Sequence, residues 1–142
     1  MSTIKQILHD KGQTIWSVSP EETVFIAIQL MADKRVGALL VMENDQLKGI
    51  ISERDYAREV ILKGRSSKET PVRDIMTSQV LTVPSGHRVQ DSLSVMSEHR
   101  IRHLPVVDND HVVGIVSIGD LVKSIINEQQ TTIEQLENYI KG

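Results

Sequence analysis

Gly49-Ile50-Ile51-Ser52-Glu53-Arg54-Asp55 and, 65 residues later, Gly114-Ile115-Val116-Ser117-Ile118-Gly119-Asp120 are two versions of one phrase. Working outward from them, the same register holds without a gap. Val24 falls on Val89, Met31 on Met96, Arg35 on Arg100, Leu39 on Leu104, Val41 on Val106 and Asn44-Asp45 on Asn109-Asp110. Chance supplies a few identities but not this many in one ungapped register, so the chain is two copies of one unit.

Each copy changes its apolar period in the same order. In the first, Thr14 to Val18 reads as a strand, and Ser19-Pro20-Glu21-Glu22 reads as a helix opening with a cap, a first-position Pro and a capping-box Glu. Val24, Ile28, Met31 and Ala32 recur at helical spacing. Ala38 to Met42 is a continuous apolar strand, Glu43 to Gln46 a tight polar turn, and Leu47 to Ile51 the returning strand. A second helix is expected from Glu53 to about Lys63, stopped by Gly64. The second copy repeats this with strands at Leu81 to Val83, His103 to Val107 and Val112 to Val116, a helix after Ser85 and another after Ser117. The fold class is α/β in the α+β sense, β-α-β-β-α twice.

The polar stretch Gly64 to Pro71 reads as a linker, dividing the chain into domains 1–66 and 67–142. Val72-Arg73-Asp74-Ile75-Met76 resembles Ile4-Lys5-Gln6-Ile7-Leu8, but at an offset of 68, so the first copy carries three extra residues, and its loop Asp10 to Gln13 differs from its counterpart. Beyond Asp120, the apolar residues Leu121, Val122, Ile125, Ile126, Ile133, Leu136 and Ile140 predict a helix that outruns the repeat, its last third without a partner in either copy.

Composition narrows the function. With no cysteine, the chain has no disulfides, thiolate nucleophiles or sulfur-based zinc sites. A net charge of −3 offers nothing to offset phosphate repulsion, and one Trp, one Phe and two Tyr cannot build a base-stacking platform, so nucleic acid is not an expected partner. No apolar run of about 18 residues exists, and the opening residues are too short and polar for a signal peptide. The expectation is a cytoplasmic protein with no membrane partner.

The strand-Ser-x-x-Asp phrase has two readings. As a capping box, Ser bonds a first-turn N–H and the acid suits the helix dipole. As a ligand site, the same helix start attracts phosphate while the carboxylate accepts both hydroxyls of a ribose. The twofold occurrence in register, each time after Gly-Ile and a hairpin, favours the second reading. Taken with Arg102-His103-Leu104-Pro105-Val106-Val107-Asp108 ahead of the second phrase, the chain resembles a tandem pair of cystathionine-β-synthase (CBS) domains over nearly its whole length.

The resemblance implies two repeats related by a pseudo-twofold axis. It implies adenosine-containing ligands (AMP, ADP, ATP, NAD or S-adenosylmethionine) in the cleft between repeats. It assigns Asp55 and Asp120 to ribose hydroxyls and Ser52 and Ser117 to ribose or phosphate. Backbone and apolar side chains at Val36, Gly37, Ala38 and Leu39, and from Ile101 to Leu104 and Pro105, would line the adenine, with Ile15 and Val80 opening each first strand and Thr77 a further contact. For a phosphate the first copy offers Arg54 and Arg58 and the second Arg100, Arg102 and His103; Arg35, Arg54, Arg58 and Arg100 read equally as solvated helix faces, and Arg102 is the chosen cation. Gly119 would allow close backbone approach. The unequal cations make the two sites non-equivalent. The resemblance also implies a homodimer and an unidentified effector protein.

Other chemistry finds little footing. His99 and His103 are four apart, but a helix end near Arg100 separates them and no third ligand is suitably spaced. There is no G-x-S-x-G elbow, P-loop, G-x-G-x-x-G or carboxylate cluster for Mg²⁺, so no enzyme and no catalytic cofactor is expected. Two function classes remain: a sensor that binds an adenine nucleotide without hydrolysing it, and a nucleotide-independent interaction module acting through dimerisation and its C-terminal helix. Intact Ser and Asp in both phrases favour the sensor.

Overall fold

A computed structural model describes residues 2–12 and 14–141. Gln13, the end of the expected Asp10 to Gln13 loop, lies outside the described residues, as do Met1 and Gly142. The elements run α1 (Ile4–Lys11), β1 (Ser17–Val18), α2 (Val24–Lys34), β2 (Ala38–Glu43), β3 (Gln46–Ser52), α3 (Glu53–Tyr56), α4 (Val89–His99), β4 (His103–Asp108), β5 (His111–Ser117) and α5 (Ile118–Lys141). The mixed α+β fold thus carries the β-α-β-β-α order in full in the first copy and as α-β-β-α in the second. Two compact units form, Ile15–Leu81 and the pair of segments Met1–Thr14 with Thr82–Gly142.

In Ile15–Leu81 the sheet order is β1-β2-β3, β1 parallel to β2 and β2 antiparallel to β3. Ala38 to Val41 are all buried, as a continuous apolar run covered on both faces demands. The hairpin turns on Asn44 and Asp45, both left-handed (φ 52° and 63°), the turn that matches strand twist and that Asn and Asp tolerate. In the second unit β4 and β5 repeat this hairpin, with Asn109 and Asp110 at φ 50° and 64°. The first strand there shrinks to one parallel bridge, Val83 to Val106, the counterpart of the Val18 to Val41 pair.

Two local expectations are corrected. Helix α2 starts at Val24 with Thr23 as its cap, whose Oγ1 accepts the Ile26 N–H, and not at Ser19-Pro20. The carbonyls of Pro20 and Glu22 accept the N–H groups of Arg73 and Val72 instead, which holds that segment out of the helix. The helix expected after Ser85 forms as α4, beginning at Val89, while the Ser85 N–H and hydroxyl both donate to the Asp108 carboxylate. The expected helix from Glu53 to Lys63 is α-helical only to Tyr56, then widens into a π turn at Ala57–Ile61 before stopping at Gly64, whose φ is 67°.

The stretch Gly64 to Pro71 is not a free linker. Ser67 and Thr70 carbonyls accept the N–H groups of Phe25 and Val24, the Thr70 side chain is buried against the Ser66 carbonyl, and the Lys68 ammonium sits 4.9 Å over the Phe25 ring. The chain continues in the same unit as far as Leu81.

The two lead-in segments are exchanged between the repeats. The turn Val72–Asp74 and its sequel pack under the first repeat: Val72 and Ile75 join the core of Val18, Val24, Met31, Leu39, Val41 and Ile51. Helix α1, which precedes the first repeat, packs under the second: Ile4, Ile7 and Leu8 join Val83, Val89, Met96, Leu104, Val106 and Val116. The repeat phrases show why each opens with glycine. A Cβ on Gly49 would stand 2.7 Å from the Thr77 carbonyl oxygen and 2.8 Å from Met76 Sδ, and one on Gly114 2.6 Å from Leu8 Cδ2. The glycine makes room for the lead-in.

Candidate functional site

At the end of β3 the chain turns from strand to α3 in the order Ser52, Glu53, Arg54, Asp55. The Ser52 N–H donates to Asp55 Oδ2 at 2.9 Å, the Ser52 hydroxyl donates to the same oxygen at 3.0 Å, and the Asp55 N–H donates back to Ser52 Oγ at 3.2 Å. The Gly37 carbonyl takes the Glu53 N–H at 3.1 Å. In the other unit the Ser117 N–H donates to Asp120 Oδ2 at 2.8 Å, the Asp120 N–H to Ser117 Oγ at 3.1 Å, and the Arg102 carbonyl takes the Ile118 N–H at 2.8 Å. The capping box is therefore formed in both copies, and it consumes most of the helix-start N–H groups that the sequence offered to phosphate.

It leaves something else. In both carboxylates every bond goes to Oδ2, and Oδ1 has no partner among the described residues. No buried side-chain oxygen goes unsatisfied among those residues, so both Oδ1 atoms face solvent. Each copy presents a carboxylate locked in orientation by its own cap, with one acceptor oxygen open.

The copies then diverge through a residue that the sequence did not single out. Lys11, at the end of α1, places its ammonium 2.7 Å from Asp120 Oδ2 and 3.1 Å from the Ile115 carbonyl. In the first copy the matching carbonyl, that of Ile50, is taken instead by the Thr77 N–H at 2.9 Å, because the lead-in there is extended where α1 is helical. Asp55 thus has no lysine partner among the described residues. Burial raises its pKa above the ordinary carboxylate value despite the Ser52 bonds and the nearby Arg58 charge. Burial acts on Asp120 in the same direction, but the Lys11 and Ser117 bonds outweigh it and hold that carboxyl below the ordinary value. Beside it, burial lowers the pKa of His103, against the opposing charge of Asp120, so His103 is neutral at pH 7.

Lys11→Met is expected to move the Asp120 pKa from below the ordinary value upward, towards the behaviour of Asp55. The sign follows: a depressed carboxyl contributes stability above its unfolded pKa that is lost as pH falls through the folded pKa, and the variant should lose that acid-side dependence. At pH 7 the cost should stay within about 1 kcal/mol, because the pair is part-exposed. Carbon-detected NMR titration of the Asp120 carboxyl reads the shift directly, and an unmoved pKa would remove Lys11 as its cause.

The other residues singled out by sequence fall into three groups. Thr77, Val80 and Ile15 all lie in the unit of Ser52 and Asp55, the lead-in exchange having carried Thr77 and Val80 there. Val36 and Gly37 are half-buried on a small hollow of about 280 Å³ with Arg35 and Glu53. Ala38, Leu39, Leu104 and Pro105 are buried, and the side chains of Leu39 and Leu104 belong to the two cores. Arg102 is exposed, Arg54 half-buried, and Gly119 has only the Ser117 Oγ within 4 Å of a built Cβ. Arg35 and Arg100 are the left-handed residues that close α2 and α4, at φ 56° and 55°. Asp120 and Lys11 stand on the wall of an open groove of about 1310 Å³ between α1 and α5.

The CBS domain model matches residues 11–62 and again 72–127, one match on each Ser-x-x-Asp phrase. The chain belongs to the CBS-domain family. This CBS pair is 38% identical over 151 residues to the mitochondrial CBS domain-containing protein CBSX3 of Arabidopsis thaliana, covering 99% of this chain and 73% of the relative. It superposes with a TM-score of 0.87 and 49% identity on a CBS-domain protein of Burkholderia ambifaria MC40-6 assigned to signal transduction, over 90% of this chain and 96% of that one. It shares the fold, at 24% identity and a TM-score of 0.78, with the CBS domain pair of protein MJ0100, solved with 5′-methylthioadenosine and S-adenosyl-L-methionine, over 87% of this chain and 99% of that one. The pair is a regulatory module of the signal-transduction kind. Among its described residues no helix is long and apolar enough to cross a membrane.

Proposed function

We propose that this CBS pair is a non-enzymatic cytoplasmic sensor in which Asp55 and Asp120 each receive the ribose hydroxyls of an adenosine-containing ligand and pass the bound state to an effector protein. The observation that supports it is the doubled carboxylate: fixed by its cap through Oδ2, open at Oδ1, and repeated at the same place in both units. A fixed acceptor loses little orientational freedom when a diol arrives, which is the advantage of preorganisation. The MJ0100 pair supports the ligand class, since both of its ligands are adenosine derivatives.

The two sites are unequal on this reading. A ribose at Asp55 meets a carboxylate with no ion-pair partner among the described residues, and Arg54 and Arg58 stand on the same segment for a phosphate. A ribose at Asp120 meets one already holding Lys11, so it must share that carboxylate or displace the ammonium. Occupancy is therefore expected first at Asp55.

Calorimetry with AMP, ADP, ATP, NAD, S-adenosylmethionine and GTP tests the proposal. Micromolar binding of an adenosine ligand, lost on changing one of the two aspartates, is the expected result. Binding of none of them would leave the CBS pair as an interaction module.

A further inference from the structure

The two lead-in segments are fastened differently. In the first-repeat unit Thr77 is bound to Ile50 by two backbone hydrogen bonds, the Ile50 N–H to the Thr77 carbonyl at 3.0 Å and the Thr77 N–H to the Ile50 carbonyl at 2.9 Å, and neither involves Asp55. In the other unit α1 is anchored at its start, where Ile4 and Lys5 donate their N–H groups to the His87 and Ser85 carbonyls and Ile4, Ile7 and Leu8 enter the core. Its last turn, His9 to Lys11, is exposed. Beyond the helix's own bonds, the polar contacts of that turn with the rest of the unit are, among the described residues, the two made by the Lys11 ammonium, to the Ile115 carbonyl at 3.1 Å and to Asp120 Oδ2 at 2.7 Å. Gly12, at φ 88°, ends the helix directly after it.

We infer that Lys11 is a latch which a ligand at Asp120 must open: occupation of the second-repeat site releases the last turn of α1, while occupation of the first leaves its lead-in bound. The inference rests on the sensor reading and adds its regulation. Each carboxylate oxygen has about two lone-pair sites. Asp120 Oδ2 fills both, with the Ser117 N–H and the Lys11 ammonium, so a diol that takes Oδ1 with one hydroxyl reaches Oδ2 with the other only in place of Lys11. Asp55 Oδ2 is filled too, but by the Ser52 N–H and the Ser52 hydroxyl. That hydroxyl turns aside by rotation about one bond and moves no helix. The same ligand chemistry therefore displaces a local hydroxyl in one copy and the fastening of α1 in the other. The turn so released is where the chain leaves the second-repeat unit for Ile15, the start of the first. Since Asp55 fills first, the first ligand bound is silent and the second frees that crossing. Linkage makes the effect mutual: what the ligand takes from the latch, the latch takes from ligand affinity.

Amide hydrogen exchange on the full chain, resolved by NMR at His9, Asp10 and Lys11, tests the latch with and without ligand. Without ligand, Lys11→Met should speed exchange there roughly two- to fivefold, the scale of a part-exposed ion pair, and Lys11→Arg, which keeps a cation within reach, should not. In an Asp55→Asn chain, its first site weakened, saturating AMP should speed exchange of the same amides by a similar factor. Adding Lys11→Met should abolish that ligand effect and tighten AMP binding roughly two- to fivefold. Unchanged exchange in Lys11→Met overturns the latch, whatever binds. AMP that binds the Asp55→Asn chain without changing exchange overturns it too, and leaves the sensor reading standing. AMP that does not bind that chain takes down the ribose role of Asp120 and this inference with it.

Discussion

Gly49→Ala is expected to destabilise the CBS pair by about 2–3 kcal/mol, the upper part of the range for forcing a methyl group into a packed site. The new Cβ would stand 2.7 Å from a backbone oxygen, that of Thr77, and 2.8 Å from Met76 Sδ. The oxygen cannot step aside cheaply, because the Thr77 carbonyl accepts the Ile50 N–H at 3.0 Å and the Thr77 N–H returns to Ile50 at 2.9 Å. Relief means breaking that bridge. Gly114→Ala is the matched control at the same position in the other repeat. There the contact is with the tip of Leu8, which can change rotamer, so the expected cost is nearer 1 kcal/mol. Neither glycine has a positive φ, so backbone strain does not enter the comparison. Urea unfolding of the two variants measures the difference. Equal losses would show that the lead-in bridge does not hold β3 as tightly as its geometry implies.

That pair of glycines also marks where sequence reasoning stops. The ungapped register gave the two hairpins and their tight polar turns, because those depend on apolar spacing and turn residues close together in the chain. It also paired the two lead-ins correctly at their own offset. It could not say under which repeat each would pack, since nothing in the apolar period of Ile4 to Leu8 distinguishes one repeat's floor from the other's. Lys11 was invisible for the same reason: its partner Asp120 is 109 residues away, and only the α1 exchange brings them together. The Ser19-Pro20-Glu21-Glu22 misreading is local in kind. Ser19 and Thr23 both suit a cap, and the choice between them was made by the Arg73 and Val72 N–H groups arriving from the second lead-in. Leu39 and Leu104 lie in the two stretches singled out by the resemblance, yet their side chains belong to the cores, because the strand's alternation decides which side chain faces inward.

Asp55→Asn should reduce affinity for an adenosine ligand at the first-repeat site by about 1.5–3 kcal/mol, some tens-fold, the magnitude of a lost charge-assisted hydrogen bond. Asparagine keeps one side-chain oxygen for the Ser52 N–H and so can preserve the cap, while removing the charge and the second acceptor. Asp55→Ala removes both. If the carboxylate's work is ligand binding, both variants lose affinity and only the alanine loses the ~1 kcal/mol of a cap. If its work is capping alone, the alanine loses stability and neither loses affinity. The pH dependence separates the two sites further. Burial raises the Asp55 pKa while Lys11 and Ser117 depress that of Asp120 against the same burial, so on acidification Asp55 protonates first. Protonation removes the charge from the acceptor, so affinity at Asp55 should fall at a higher pH than affinity at Asp120. Titrating ligand affinity downward from pH 7 in wild type and in Asp120→Asn isolates the Asp55 limb. A limb that begins below the ordinary carboxylate range would contradict the half-buried character of Asp55 without a lysine, and with it the assignment of first occupancy to that site.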